Sequence, residues 1–152
     1  MKHTAVLIPG DGIGPEVTDA ACRIIEGTGL ELEWHRHDAG LAAIEAGADK
    51  VLPDATVEAI RVTKAALKGP CTTPIGEGFT SVNVALRKQL NLFGAVRPVR
   101  GIRGVPTRYS DDDVDLVVVR ENTEGLYAGI ENVITDGVVT SLKVATEHAS
   151  RR

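Results

Sequence analysis

Three arginines, an asparagine, a serine and a tyrosine stand at spacings suited to handling a small polyanion. Asn83 and Arg87 lie four residues apart in SVNVALRKQL, Ser81–Leu90, whose pattern predicts a helix, so their side chains share one face. Ser81 opens that helix, where unpaired backbone N–H groups also attract anions. Arg97 and Arg120 are read as ending two predicted strands, Ala95–Val99 and Asp115–Arg120, at the edge where α/β proteins hold their sites. Three guanidiniums drawn to one cavity repel one another unless an anion with several carboxylates fills it. The planar fork of arginine suits that task, because it grips a carboxylate through two hydrogen bonds. Three separate surface salt bridges would account for the same arginines, and spacing alone does not choose.

The charge distribution sharpens the question. The net charge is −4, which disfavours a general nucleic-acid binder. Yet between Phe79 and Ser110 the charged residues are Arg87, Lys88, Arg97, Arg100, Arg103 and Arg108, with no acid among them. Either this is a solvated basic face or it serves a small polyanion. A nucleic-acid site would want interleaved aromatics, and Phe93 and Tyr109 are too few.

The elements that must position these residues alternate between strand and helix. His3–Pro9 reads as a strand apolar throughout, hence buried on both faces. Pro15 fits the first turn of a helix whose apolar stripe is Val17, Ala20, Ala21, Ile24 and Ile25, stopped by Gly27 and Gly29. Leu30, Leu32 and Trp34 alternate with charged residues as a second strand. Leu41–Ala46 is a short helix, Asp54 caps another through Val57 and Ile60, and Ala65–Leu67 is a third strand. Val138–Ala145 is a strand, and Thr146 an N-cap. This order predicts an α/β fold with a largely parallel sheet. The 152 residues suffice for a sizeable core, and no apolar run approaches the ~20 residues of a membrane span. Cys22 and Cys71 read as reduced thiols of a cytoplasmic protein.

The stretch IPGDGIGPEV, Ile8–Val17, looks like a dinucleotide-binding loop but fails the Gly-x-Gly-x-x-Gly test. Counted from Gly10 the third glycine falls on Pro15, and from Gly12 it falls on Val17. A tight strand-to-helix turn beside some other site is the better reading.

Together with IPGDGIGPEV, the segments KGPCTTPIGEGFTSVNVALRKQLNLFGAVRPVRG (Lys68–Gly101) and DLVVVRENTEGLYAGIE (Asp115–Glu131) resemble the β-decarboxylating dehydrogenases of isocitrate and 3-isopropylmalate. The resemblance runs in order along nearly the whole chain and covers about the first half of such an enzyme. It implies an α/β isocitrate/isopropylmalate dehydrogenase-like fold, present in part, that is not the classical Rossmann fold. It implies that Ser81, Asn83, Arg87, Arg97 and Arg120 bind substrate. Tyr127 would assist proton transfer to the enol left by decarboxylation, with Arg120 and a partner subunit's lysine stabilising its anion. A phenol ordinarily titrates near ~10 and delivers a proton at neutral pH when its anion is so stabilised. From spacing alone, Tyr127 is simply a tyrosine in an exposed hairpin. Thr72 and Thr73 align with positions meeting the nicotinamide end of NAD or NADP, though they serve equally as turn residues.

Within the family, the Ser81-x-Asn83 pattern resembles isocitrate enzymes, whose substrate carries an additional carboxylate. Isopropylmalate enzymes are more apolar there. The expected reaction is oxidative decarboxylation of isocitrate to 2-oxoglutarate with NAD(P)+, a Mg²⁺ or Mn²⁺ ion polarising the ketone. The metal ligands and the adenosine-binding loop are expected beyond Arg152, so no metal ligand is assigned here and the chain alone is expected to be inactive. Residues 1–92 are expected to form part of a large domain, and 93–152 the start of a small one. Tyr127–Thr140 would reach as an arm to a second subunit of a homodimer or higher oligomer.

Overall fold

His3–Ile8 forms β1, and its last four residues, Ala5, Val6, Leu7 and Ile8, are all buried, as a strand covered on both faces must be. The computed structural model describes residues 2–72, 80–109 and 113–151. It divides into two units, Met1–Leu90 and Asn91–Arg152.

In the first unit β1 is the central strand of a parallel sheet of order β2-β1-β3, with β2 Leu32–Arg36 and β3 Ala66–Lys68. Helix α1, Gly14–Gly27, follows β1, with proline in its first turn. Then come α2 Leu41–Glu45, α3 Asp54–Thr63 and α4 Val82–Gln89. Val6 and Ile8 of β1 meet Ala39, Val51, Leu52, Val57, Val82 and Leu86 in one core. Burial of such side chains stabilises the unit by roughly 1.5–3 kcal/mol each.

Two local expectations are corrected. The face that α1 buries is Gly14, Thr18 and Cys22, whereas Val17 and Ile24 of the expected stripe are 44% and 72% exposed. The cause is proximity: a Cβ on Gly14 would stand 2.3 Å from the Pro9 carbonyl oxygen, so only small residues fit beneath the helix. Asp54 is not a cap but the first residue of α3, where it pairs with Lys50 at 2.7 Å and suits the positive end of the helix dipole.

The second unit is built from antiparallel pairs, so the sheet is parallel only in the first unit. β4 Gly94–Arg100 pairs with β5 Asp115–Glu121, and β6 Gly125–Thr135 pairs with β7 Val138–Val144. Asp136 and Gly137 turn the second hairpin, with Gly137 at φ 77°. Helix α5, Glu147–Arg151, closes the chain, and Thr146 caps it by accepting the Ala149 N–H at 3.1 Å. Among the described residues no helix is long and apolar enough to cross a membrane.

Candidate active site

In the first unit the glycine loop is a latch between chain segments. The Asp11 carboxylate accepts the Thr72 N–H through both oxygens, at 2.8 and 3.0 Å, and the Leu41 N–H at 3.1 Å. The Asp11 N–H in turn donates to the Pro70 carbonyl at 3.0 Å. Gly10 makes this approach possible, since at φ 76° a Cβ there would lie 1.7 Å from the Pro70 oxygen. Gly10 and Gly14 therefore serve close backbone packing, in a turn that lacks the nucleotide fingerprint. Burial alone would raise the Asp11 carboxyl; the hydrogen bonds from Thr72 and Leu41, with the Lys68 charge, bring it below its ordinary value.

Thr72 stands exposed at the edge of this latch. With its backbone N–H held by Asp11, its side chain is on a fixed, accessible turn, which fits a residue touching one end of a dinucleotide. Thr73 lies outside the described residues. Beside them the Cys71 thiol is pushed up by burial, which the nearby Lys68 only partly opposes.

Ser81 takes the N-cap position of α4 without a side-chain capping bond, while its carbonyl accepts the Ala85 N–H. Its hydroxyl is thus not spent on the cap. Asn83 is exposed and Arg87 half-buried, four residues apart on α4. Arg61 holds the far end of α4 by donating to the Gln89 carbonyl at 3.1 Å.

In the second unit neither Arg97 nor Arg120 ends its strand, because β4 and β5 both run on beyond them. Arg97 lies opposite Val118, and Arg120 opposite Ala95. Cross-strand partners share a face and alternate residues repeat it, so both arginines project from the same side of the sheet as diagonal neighbours. Arg100 projects from the other side and pairs with Asp115 at 3.0 Å. Strand alternation therefore separates Arg100 from Arg97 and Arg120. The Arg120 guanidinium carbon lies 4.8 Å from the centre of the Tyr127 ring, within the range of a cation–π contact.

The turn between Arg120 and Tyr127 contains functional candidates the sequence reading missed. Glu121 accepts the Thr123 and Glu124 N–H groups at 2.8 and 2.9 Å. Asn122 is buried, its N–H donating to the Phe93 carbonyl at 2.8 Å. The Glu124 carboxylate accepts the Thr146 N–H and hydroxyl at 2.8 and 2.7 Å. The available signal was acids placed beside Thr and Gly, which often cap turns. Among the described residues no group of three or more His, Cys, Asp or Glu side chains could hold a metal ion. These residues thus do not fit the divalent ion that the resemblance implies.

A three-stranded parallel sheet with helices in one unit and two antiparallel strand pairs in the other make a mixed α/β architecture. The sequence profile described as isocitrate/isopropylmalate dehydrogenase matches residues 4–152, and the chain belongs to that family. It is 46% identical over 98% of its length to the mitochondrial NAD isocitrate dehydrogenase catalytic subunit 5 of Arabidopsis thaliana, of which it covers 39%. It is 45% identical over 97% of its length to the chloroplastic 3-isopropylmalate dehydrogenase of Solanum tuberosum, covering 41%. The crystal structure of isocitrate dehydrogenase from Methylococcus capsulatus matches with TM-score 0.87 and 49% identity, over 97% of this chain and 44% of that one. Names among the relatives specify both NAD and NADP. The chain spans about two fifths of the length of these curated relatives.

Proposed function

We propose that the chain is the amino-terminal portion of an isocitrate dehydrogenase, oxidatively decarboxylating isocitrate to 2-oxoglutarate with NAD(P)+. The observation that carries this reading is the pair Arg97 and Arg120 on one sheet face, with the Tyr127 ring 4.8 Å from Arg120. Two guanidiniums projecting from one sheet face repel, and an anion with several carboxylates relieves that repulsion while accepting paired hydrogen bonds. On this reading Ser81, Asn83 and Arg87 also bind substrate carboxylates, and Ser81 with Asn83 selects isocitrate over an apolar analogue.

Tyr127 then donates its phenolic proton to the carbon from which CO₂ has left, and the positive charge of Arg120 stabilises the phenolate formed. Thr72 with Thr73 contacts the nicotinamide, which supplies the hydride acceptor when bound. The ligands of a Mg²⁺ or Mn²⁺ ion, which would polarise the ketone, would come from other parts of the complete enzyme. The free thiols of Cys22 and Cys71 support a reducing compartment, the cytoplasm on this reading. Exposed apolar residues of β6–β7, among them Ile130, Val133 and Leu142, support an arm to a second subunit.

A second reading is a 3-isopropylmalate-type enzyme, supported by near-equal identity to the Solanum tuberosum relative. The test is a substrate panel on the complete enzyme with NAD+ and NADP+. Isocitrate turnover exceeding isopropylmalate turnover supports the first reading, and the reverse order overturns it. Binding of citrate-like anions with no turnover at all would instead indicate a non-catalytic anion-binding module. The 152-residue chain itself is expected to form no NAD(P)H from isocitrate.

A further inference from the structure

We propose that Glu124 is a positioning residue that fixes Tyr127 against Arg120 by clamping the start of β6 to Thr146. The inference rests on the reading of Tyr127 as the proton donor. Its premise is that the strand ladder does not hold Tyr127. Gly125 pairs with Val144, and the next rung is Ile130 with Leu142, so five steps along β6 cover two along β7. Tyr127 lies inside that irregularity, which Gly125 at φ 67° and Gly129 at φ 68° accommodate. Such bulges re-aim side chains at functional sites, but they also remove the pairing that fixes them.

Arg120, by contrast, is held in the β4–β5 ladder opposite Ala95. Something other than a ladder must therefore set the distance between the two. Glu124 does so at both of its ends. Its carbonyl accepts the Tyr127 N–H at 3.2 Å. Its carboxylate accepts both donors of Thr146, a residue itself fixed as the N-cap of α5. Charge-assisted bonds of this kind are among the stronger ones available on a surface. Glu121, which accepts the Thr123 and Glu124 N–H groups, shapes the turn that presents Glu124.

The test compares Glu124→Gln and Thr146→Val with Thr146→Ser, which keeps both donors. In the 152-residue chain, NMR reads the cross-peaks between the Arg120 side chain and the Tyr127 ring. The first two variants should lose them, and Thr146→Ser should retain them. In the complete enzyme the same two variants should lower kcat by roughly tenfold or more, with the isocitrate KM held within about twofold, and Thr146→Ser should restore kcat. Retained cross-peaks in both disruptive variants, or a KM rise equal to the kcat loss in all three, would overturn the clamp. If the wild-type complete enzyme does not turn over isocitrate, the functional reading fails, while the cross-peaks still decide the clamp.

Discussion

Asp11 and Thr72 are sixty-one residues apart in sequence, yet both carboxylate oxygens of the first accept the backbone N–H of the second, at 2.8 and 3.0 Å. The bond ties the turn after β1 to the turn after β3, and through the Leu41 N–H it also reaches the start of α2. One side chain thus gathers three segments at one end of the parallel sheet, the end where α/β proteins place their sites.

That arrangement has a signature in pH. The folded-state carboxyl of Asp11 lies below its ordinary value, so its contribution is fully present above about pH 4 and is lost as pH falls through the lowered value. Urea unfolding of the chain should show wild type more stable than Asp11→Asn at neutral pH, with the gap narrowing on acidification. A gap that does not change with pH would assign the stabilisation to shape alone.

Gly10 and Gly12 both have positive φ, but only Gly10 faces backbone at contact distance. Gly12→Ala should cost about 1–2 kcal/mol, the price of the left-handed conformation. Gly10→Ala adds a clash with the Pro70 carbonyl and should cost distinctly more, about 3 kcal/mol or above. Equal losses by chemical denaturation would argue against the interlocked turns.

Much of this was legible in the sequence. The burial of β1 followed from its apolar run, and α2, α3 and α4 fall close to their expected spans, although Asp54 begins α3 rather than capping it. What escaped depended on contacts distant in sequence. Val17 and Ile24 form as good an apolar stripe as the face that is buried, and only the nearness of Pro9 to Gly14 decides between them. The Gly101–Val114 connection is long enough for a crossover, so nothing local revealed that β4 and β5 run antiparallel. Arg97 and Arg120 were named as candidates from residue type and resemblance, whereas their common face needs the strand register. Glu124 escaped because its partner, Thr146, lies twenty-two residues downstream.

Substrate selection should be separable from catalysis at α4. Ser81→Leu with Asn83→Leu in the complete enzyme should lower kcat/KM for isocitrate by about 100-fold and raise it for isopropylmalate. Steady-state kinetics on both substrates check this. An equal loss on both would reduce these residues to a structural part.

The two arginines on the β4–β5 face should act as anion grips. Arg97→Gln or Arg120→Gln should each reduce kcat/KM for isocitrate by about 100-fold, equivalent to about 2.7 kcal/mol of lost transition-state stabilisation. Lysine at either position should recover part of the charge but not the paired hydrogen bonds.

The most direct measurement is the crystal structure of the complete enzyme with isocitrate bound. Isocitrate carboxylate oxygens are expected within about 3 Å of the guanidinium nitrogens of both Arg97 and Arg120, with the Tyr127 hydroxyl turned toward the same ligand. A structure in which isocitrate binds while those two guanidiniums contact only solvent or protein carboxylates would contradict it.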